Sequence, residues 1–211
     1  MSGSLSTLLP ASWIRGRRIG LFGGSFNPPH AGHVHVAREA WKRLALDEVW
    51  WLPTRHNPLK PEDLYADYRQ RLEAVRALAR HPRFRVLDVE WRLGVTYTVD
   101  LLEALSPLLA QGHCAWVMGA DSFASFHRWR RWRDIARMIP IAVFDRPGAT
   151  LAALCSPAAL ALRHYRLPAR GGRWLVEMTP PAWAFFDIRQ NPESSTRLRA
   201  LAGTAPHGET R

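Results

Sequence analysis

Short apolar runs alternate along this chain with stretches whose apolar residues recur every three or four positions. The runs cover residues 18–22, 48–53, 84–89, 114–118 and 139–144, and several stop at Gly or Pro (Gly23-Gly24, Pro53, Gly119). That length and punctuation predict buried strands. Between them, Val34, Ala37, Ala40, Trp41 and Leu44 predict a helix over 32–46. Tyr68, Leu72, Val75 and Leu78 or Ala79 predict another over 63–80. A further helix is expected over 99–109, and short helices from 120 to about 137. Two more strands are expected at 174–178 and 183–188, then a helix from about Ser195.

Strands alternating with helices predict βαβ units, so the expected fold class is α/β, a doubly wound, mainly parallel sheet flanked by helices. Ligands of such sheets bind beyond the carboxyl ends of the strands, where the strand order reverses. Three candidate motifs fall at such ends: after Phe22, after Pro53 and after Met118. Residues 1–16 read as a flexible lead-in, 17–202 as one domain and 203–211 as a frayed tail. Residues 148–172, rich in Ala, Pro and Gly, read as a variable excursion of helix and loop. No internal repeat is visible.

Composition narrows the function classes. In 211 residues, 47% hydrophobic and 22% charged, there is enough apolar material for a real core. No stretch approaches the ~18 apolar residues of a membrane span, and the arginines at 15, 17 and 18 follow the first apolar patch, the wrong order for a secretory signal. Cys114 and Cys155 have no metal spacing. A cytoplasmic protein without a membrane partner is expected. There are 29 Lys plus Arg against 18 Asp plus Glu, for a net charge of +11, yet all the basic residues except Lys42 and Lys60 are Arg. They are scattered, apart from a knot at 127–133, whereas binders of nucleic acid polymers concentrate their charge. A small phosphorylated ligand accounts for the excess, because Arg forks match phosphate oxygens.

The chemistry gathers first at Gly23-Gly24-Ser25-Phe26-Asn27-Pro28-Pro29-His30-Ala31-Gly32-His33. Two glycines after a strand let the backbone approach a ligand closely. His30 and His33, three apart at a helix start, can present both imidazoles where a phosphate would sit. There they donate hydrogen bonds and, if protonated, offset developing charge. The pattern is neither G-x-G-x-x-G nor a P-loop. A zinc pair would need a third ligand at sensible spacing, and none stands out.

These residues resemble the nucleotidyltransferase family with the H-x-G-H motif, which transfers AMP from ATP to a phosphate. Glu193-Ser194-Ser195-Thr196-Arg197-Leu198-Arg199 is similar to that family's I-S-S-T-x-I-R motif, with Glu193 in place of Ile. Further segments resemble one branch, the nicotinate-nucleotide adenylyltransferases of bacterial NAD synthesis: Leu46-Asp47-Glu48, Pro53 through Lys60 (Leu59 standing where His is usual), Thr96-Tyr97-Thr98-Val99-Asp100, Gly119-Ala120-Asp121-Ser122 with Trp129, and Asp145-Arg146-Pro147-Gly148.

The resemblance implies a Rossmann-like nucleotidyltransferase fold and the reaction of nicotinate mononucleotide with ATP to give deamido-NAD and pyrophosphate. It implies catalytic roles for His30, His33, Lys60 and Arg199. Phe22, Gly23, Gly24, Ser25, Gly119, Asp121, Ser195 and Thr196 would bind ATP, and Tyr97, Thr98 and Trp129 the mononucleotide. Mg²⁺ would arrive on the ATP phosphates, with no dedicated metal residues. Two alternatives stay open at this point: a sister adenylyltransferase with another acceptor, such as phosphopantetheine or nicotinamide mononucleotide, and an RNA-binding protein using the 127–133 knot.

Overall fold

The computed structural model describes residues 9–55, 66–189 and Glu193. Its centre is a seven-stranded sheet in which every pairing is parallel. The strands are β1 (Arg18–Gly24), β2 (Glu48–Pro53), β3 (Phe84–Val86), β4 (His113–Gly119), β5 (Ile141–Phe144), β6 (Arg166–Leu167) and β7 (Trp183–Phe186), in the order β3-β2-β1-β4-β5-β7-β6. The order reverses between β1 and β4, which places a topological switch point beyond their carboxyl ends.

Helices cover both faces, which is why the strands read as continuous apolar runs rather than alternating ones. Successive residues face opposite cores. Leu21, Trp50, Trp116 and Val143 pack with α4 (Thr98–Leu109), α5 (Ala120–Ala124) and α6 (Trp132–Met138). Phe22, Trp51, Val117 and Phe144 pack with α1 (Ala31–Arg43) and α2 (Tyr68–Leu78). A short α3 (Val89–Leu93) follows β3, while α7 (Thr150–Leu154) and α8 (Pro157–Ala161) follow β5. The doubly wound parallel architecture expected from the sequence is the one observed.

Several local expectations are corrected. The lead-in expected over 1–16 is anchored from Leu9 onward. Leu9 and Ile14 (0% exposed) lie in the core, Ala11–Trp13 forms a 3-10 turn, and the Arg85 guanidinium sits 4.1 Å from the Trp13 ring. Of the strand expected at 174–178, residues 174–177 belong to a 3-10 helix, Ala169–Glu177, and Met178 is its C-cap. Gly172, Leu175 and Val176 are buried while Trp174 is exposed, a helical rather than a strand rhythm. The strand expected over 84–89 ends at Val86, because Asp88 begins α3. The 148–172 excursion holds α7, α8 and the two-residue edge strand β6. The helix expected from Ser195 lies outside the described residues, as does the start of the one expected over 63–80.

One buried ionic knot ties the amino edge of the sheet together. Glu48, 8% exposed, accepts from Trp50 Nε1 (2.8 Å) and from Arg85 Nε and Nη2 (both 2.9 Å), and pairs with Arg17 at 3.2 Å. Burial alone would raise its pKa, but the hydrogen bonds from Arg85 and Trp50 and the charges of Arg85 and Arg17 outweigh it and bring the value down to about 2. A depressed carboxylate pKa stabilises the fold above the unfolded value of about 4.5, and that stability is lost as pH falls toward 2. Glu48→Gln should therefore cost about 2 kcal/mol at pH 7, a fall in Tm of about 4–8 °C. The gap from the parent should narrow as pH is lowered from 5 to 3. A gap that stays constant with pH in thermal unfolding followed by circular dichroism would contradict this account.

Candidate active site

The turn from β1 into α1 lies at the switch point. Helix α1 starts without a Ser, Thr, Asn or Asp cap; instead the two imidazoles cap it reciprocally. His30 is the N-cap, and its Nδ1 accepts from the Gly32 N–H at 3.1 Å. The His30 N–H in turn donates to His33 Nδ1 at 3.2 Å. This is the logic of a capping box with imidazoles in the place of hydroxyl and carboxylate. The rings lie 3.8 Å apart, centroid to centroid.

The capping fixes the tautomer. A neutral ring whose Nδ1 accepts must carry its proton on Nε2. His30 is 3% exposed, and among the described residues its Nε2 has no hydrogen-bond partner. A buried donor without a partner is costly, and a ligand's phosphate oxygen would relieve that cost. Burial, and secondarily the charge of Arg146, lower the His30 pKa from 6.5 to about 4, against the opposing charges of Glu193 and Asp121. The sequence allowed a protonated ring; the structure favours a neutral donor. In the free protein, NMR of labelled histidine should find His30 neutral at pH 6, with its proton on Nε2. Titration near 6.5 would contradict this.

Tight packing surrounds the turn. Phe26, at φ +44°, holds a left-handed conformation that L-residues adopt only when their surroundings enforce it. Its buried ring lies 5.0 Å from His33, 5.2 Å from Trp51 and 5.4 Å from Phe22. At Gly23 a Cβ would lie 2.3 Å from the Trp116 ring, so packing of the core also requires glycine there. At Gly32 a Cβ would lie 2.9 Å from both the Glu193 carbonyl oxygen and the His30 ring. Glu193, the departure from the family's Ile, accepts from the Ala31 N–H at 2.8 Å through its carboxylate, in the first turn of α1. That satisfies one free N–H of the helix start and suits its dipole.

The other expected residues divide into those the fold gathers and those outside the described set. Phe22, Gly23 and Gly24 close β1 and Ser25 follows it, while Gly119 closes β4 and Asp121 lies just beyond in α5. Asp121 acts electrostatically on His30, so these two ends share one field. Tyr97 caps α4 and Thr98 opens it, both half-buried. Trp129 packs edge-on against Phe126, 5.4 Å away. The Tyr97 segment and the 129–130 segment meet where Arg130 stacks 4.6 Å from the Tyr97 ring. Lys60, Ser195, Thr196 and Arg199 lie outside the described residues.

Two residues went unnamed as site groups in the sequence reading. Arg146 follows β5, its side chain beside Gly119 and its charge felt at His30. Asp145 holds that turn, accepting from the Arg146 N–H (2.9 Å) and from Thr150 Oγ1 (2.6 Å). Buried Arg71 hydrogen-bonds the backbone at Ser25, Thr54, Arg55 and Ala66. An Arg after a strand end was a usable signal for the first; nothing in the sequence singled out the second. The arginines of the 127–133 knot are in part engaged locally: Arg131 pairs with Glu103 and Asp134, and Arg133 stacks on Trp132. Among the described residues, no helix is long and apolar enough to cross a membrane, and no cluster of three His, Cys, Asp or Glu could hold a metal.

A parallel sheet with a phosphate-type turn at its switch point defines a nucleotide-binding α/β protein, and the sequence matches the cytidylyltransferase-like family over residues 21–201. A probable nicotinate-nucleotide adenylyltransferase from Roseobacter denitrificans is 46% identical over 188 residues, spanning 89% of this chain and 94% of that protein. One of the same name from Methylorubrum extorquens is 48% identical over 182 residues, spanning 86% and 98%. The fold also superposes on the Plasmodium falciparum nicotinic acid mononucleotide adenylyltransferase complexed with NaAD, with a TM-score of 0.66 at 16% identity, over 87% of this chain and 83% of that one. The chain belongs to the nicotinate-nucleotide adenylyltransferase branch of the cytidylyltransferase-like family.

Proposed function

We propose that this protein transfers AMP from ATP to the 5′-phosphate of nicotinate mononucleotide, giving deamido-NAD and pyrophosphate in NAD biosynthesis. The observation that carries the reading is the reciprocal imidazole cap at the switch point, with the His30 Nε2–H buried and lacking an acceptor among the described residues. The names of the relatives supply the acceptor class.

The acceptor's phosphate is already a nucleophile, so no Ser or Cys nucleophile is needed, and catalysis is positioning plus charge stabilisation. The 5′-phosphate attacks the α-phosphorus in line, and pyrophosphate leaves from the opposite side. His30 and His33 hold α- and β-phosphate oxygens, His30 as a neutral donor whose hydrogen bond strengthens as charge builds. Arg146 adds positive charge beside them, with Lys60 and Arg199 on the triphosphate and the incoming phosphate. Phe22 through Ser25, Gly119, Asp121, Ser195 and Thr196 bind the rest of ATP. Tyr97, Thr98 and Trp129 hold the pyridine ring.

The donors described here are imidazole N–H, backbone N–H and guanidinium, which suit phosphate oxygens and not a bare cation. Mg²⁺ therefore fits as a passenger on ATP, where it would neutralise charge on the leaving pyrophosphate. A pyrophosphate-release assay with ATP and each candidate acceptor tests the reading. Release with nicotinate mononucleotide supports it; release only with phosphopantetheine would assign the chain to a sister activity.

A further inference from the structure

Arg71 lies on α2, away from the phosphate turn in sequence, and is 2% exposed. Among the described residues its guanidinium bonds four backbone carbonyls from three stretches of chain: Nη1 to Ser25 (2.7 Å) and Thr54 (2.9 Å), Nη2 to Arg55 (2.7 Å) and Nε to Ala66 (3.1 Å). Two further side chains hold the same strip of backbone. Asn27 Oδ1 accepts from the Ala66 N–H at 3.2 Å, and Glu90 Oε2 from the Arg55 N–H at 3.2 Å. The Arg55 peptide groups are thus gripped from both sides, and so are those of Ala66.

The gripped positions flank the chemistry. Ser25 precedes His30 in the turn after β1, and Arg55 and Ala66 bracket the stretch that contains Lys60. We infer that Arg71 is a positioning residue, fixing the turn that carries His30 and His33 relative to both ends of the 56–65 stretch. The inference rests on the adenylyl-transfer reading above. Only Arg suits the task. Its planar fork reaches acceptors in several directions at once, whereas the ammonium of Lys is a compact point on a flexible stem. Charged donors also make the stronger hydrogen bonds, which suits a clamp that must not drift. Misplacing a catalytic group by about 1 Å costs about 10²-fold in rate, so loosening this clamp should be felt at the reacting phosphate.

The test compares Arg71→Ala, Arg71→Lys, His30→Ala and the double variant Arg71→Ala/His30→Ala, at a temperature well below each variant's Tm, with kcat normalised to the folded fraction. Arg71→Ala should lose about 10- to 10²-fold in kcat, with Arg71→Lys intermediate. Millimolar guanidinium should restore part of the loss in Arg71→Ala and none in His30→Ala. The double variant should lose less than the product of the two single losses, because the residues act as one unit. If Arg71→Ala does not fold, Arg71→Lys and its double with His30→Ala carry the same comparison. Folded Arg71 variants with the parent's kcat, or losses that multiply and do not respond to guanidinium, would overturn the inference. A parent protein that transfers no adenylyl group would instead sink the functional reading.

Discussion

His30→Ala and His33→Ala should each lower kcat by about 10²-fold or more, with smaller changes in KM for either substrate. Both rings accept backbone N–H groups at Nδ1, which leaves Nε2–H as the donor. A preorganised donor of this kind acts most where charge develops, in the transition state. The same rings cap α1, so each alanine variant also loses a cap worth about 1 kcal/mol. His30→Asn separates the two roles. Asn is a good N-cap and can accept from Gly32, but it cannot place a donor where Nε2 stands. It should recover the parent's Tm while remaining slow. Near-normal kcat in folded His30→Ala would remove this ring from the chemistry.

The second large effect is the choice of acceptor. Nicotinate differs from nicotinamide by a carboxylate, so selection needs donors facing that group and no buried acceptor. Thr98 opens α4, where a hydroxyl and free helix N–H groups are available, and Arg130 brings a cation against Tyr97. The amide would lose charge-assisted hydrogen bonds of about 1.5–3 kcal/mol each. The kcat/KM for nicotinate mononucleotide should therefore exceed that for the amide by at least ~10²-fold. Equal efficiency with the two mononucleotides would leave adenylyl transfer standing and remove this acceptor assignment.

How much the sequence disclosed depends on what each residue faces. Strands β1, β2, β4 and β5 were legible because both of their faces are covered, so neighbours such as Leu21 and Phe22 or Trp50 and Trp51 enter opposite cores and the run stays apolar. The same cue misled at 174–178, where Leu175 and Val176 are adjacent and buried on a 3-10 helix. The pairing beside β7 comes instead from Arg166 and Leu167, too short a strand for any periodicity to reveal. Leu9 and Ile14 anchor the start of the chain from a stretch without a regular repeat.

At the site, the paired histidines after two glycines were visible because their meaning is local. The roles of Gly23 and Arg71 were not. Gly23 yields to Trp116, far away in sequence on β4, and Arg71 joins three segments that only the folded sheet brings together. The reciprocal imidazole cap needs the backbone geometry of the helix start, which spacing alone does not supply.

The central claim is that the α-phosphorus of ATP is the electrophile and nicotinate mononucleotide the nucleophile. ATP labelled with ³²P at the α position, and separately at the γ position, tests it directly with this protein and nicotinate mononucleotide. The account predicts that α label enters deamido-NAD while γ label leaves entirely as pyrophosphate, with neither moving when the mononucleotide is omitted. Formation of ADP with γ label on the acceptor, or no dinucleotide from active, folded protein, would contradict it.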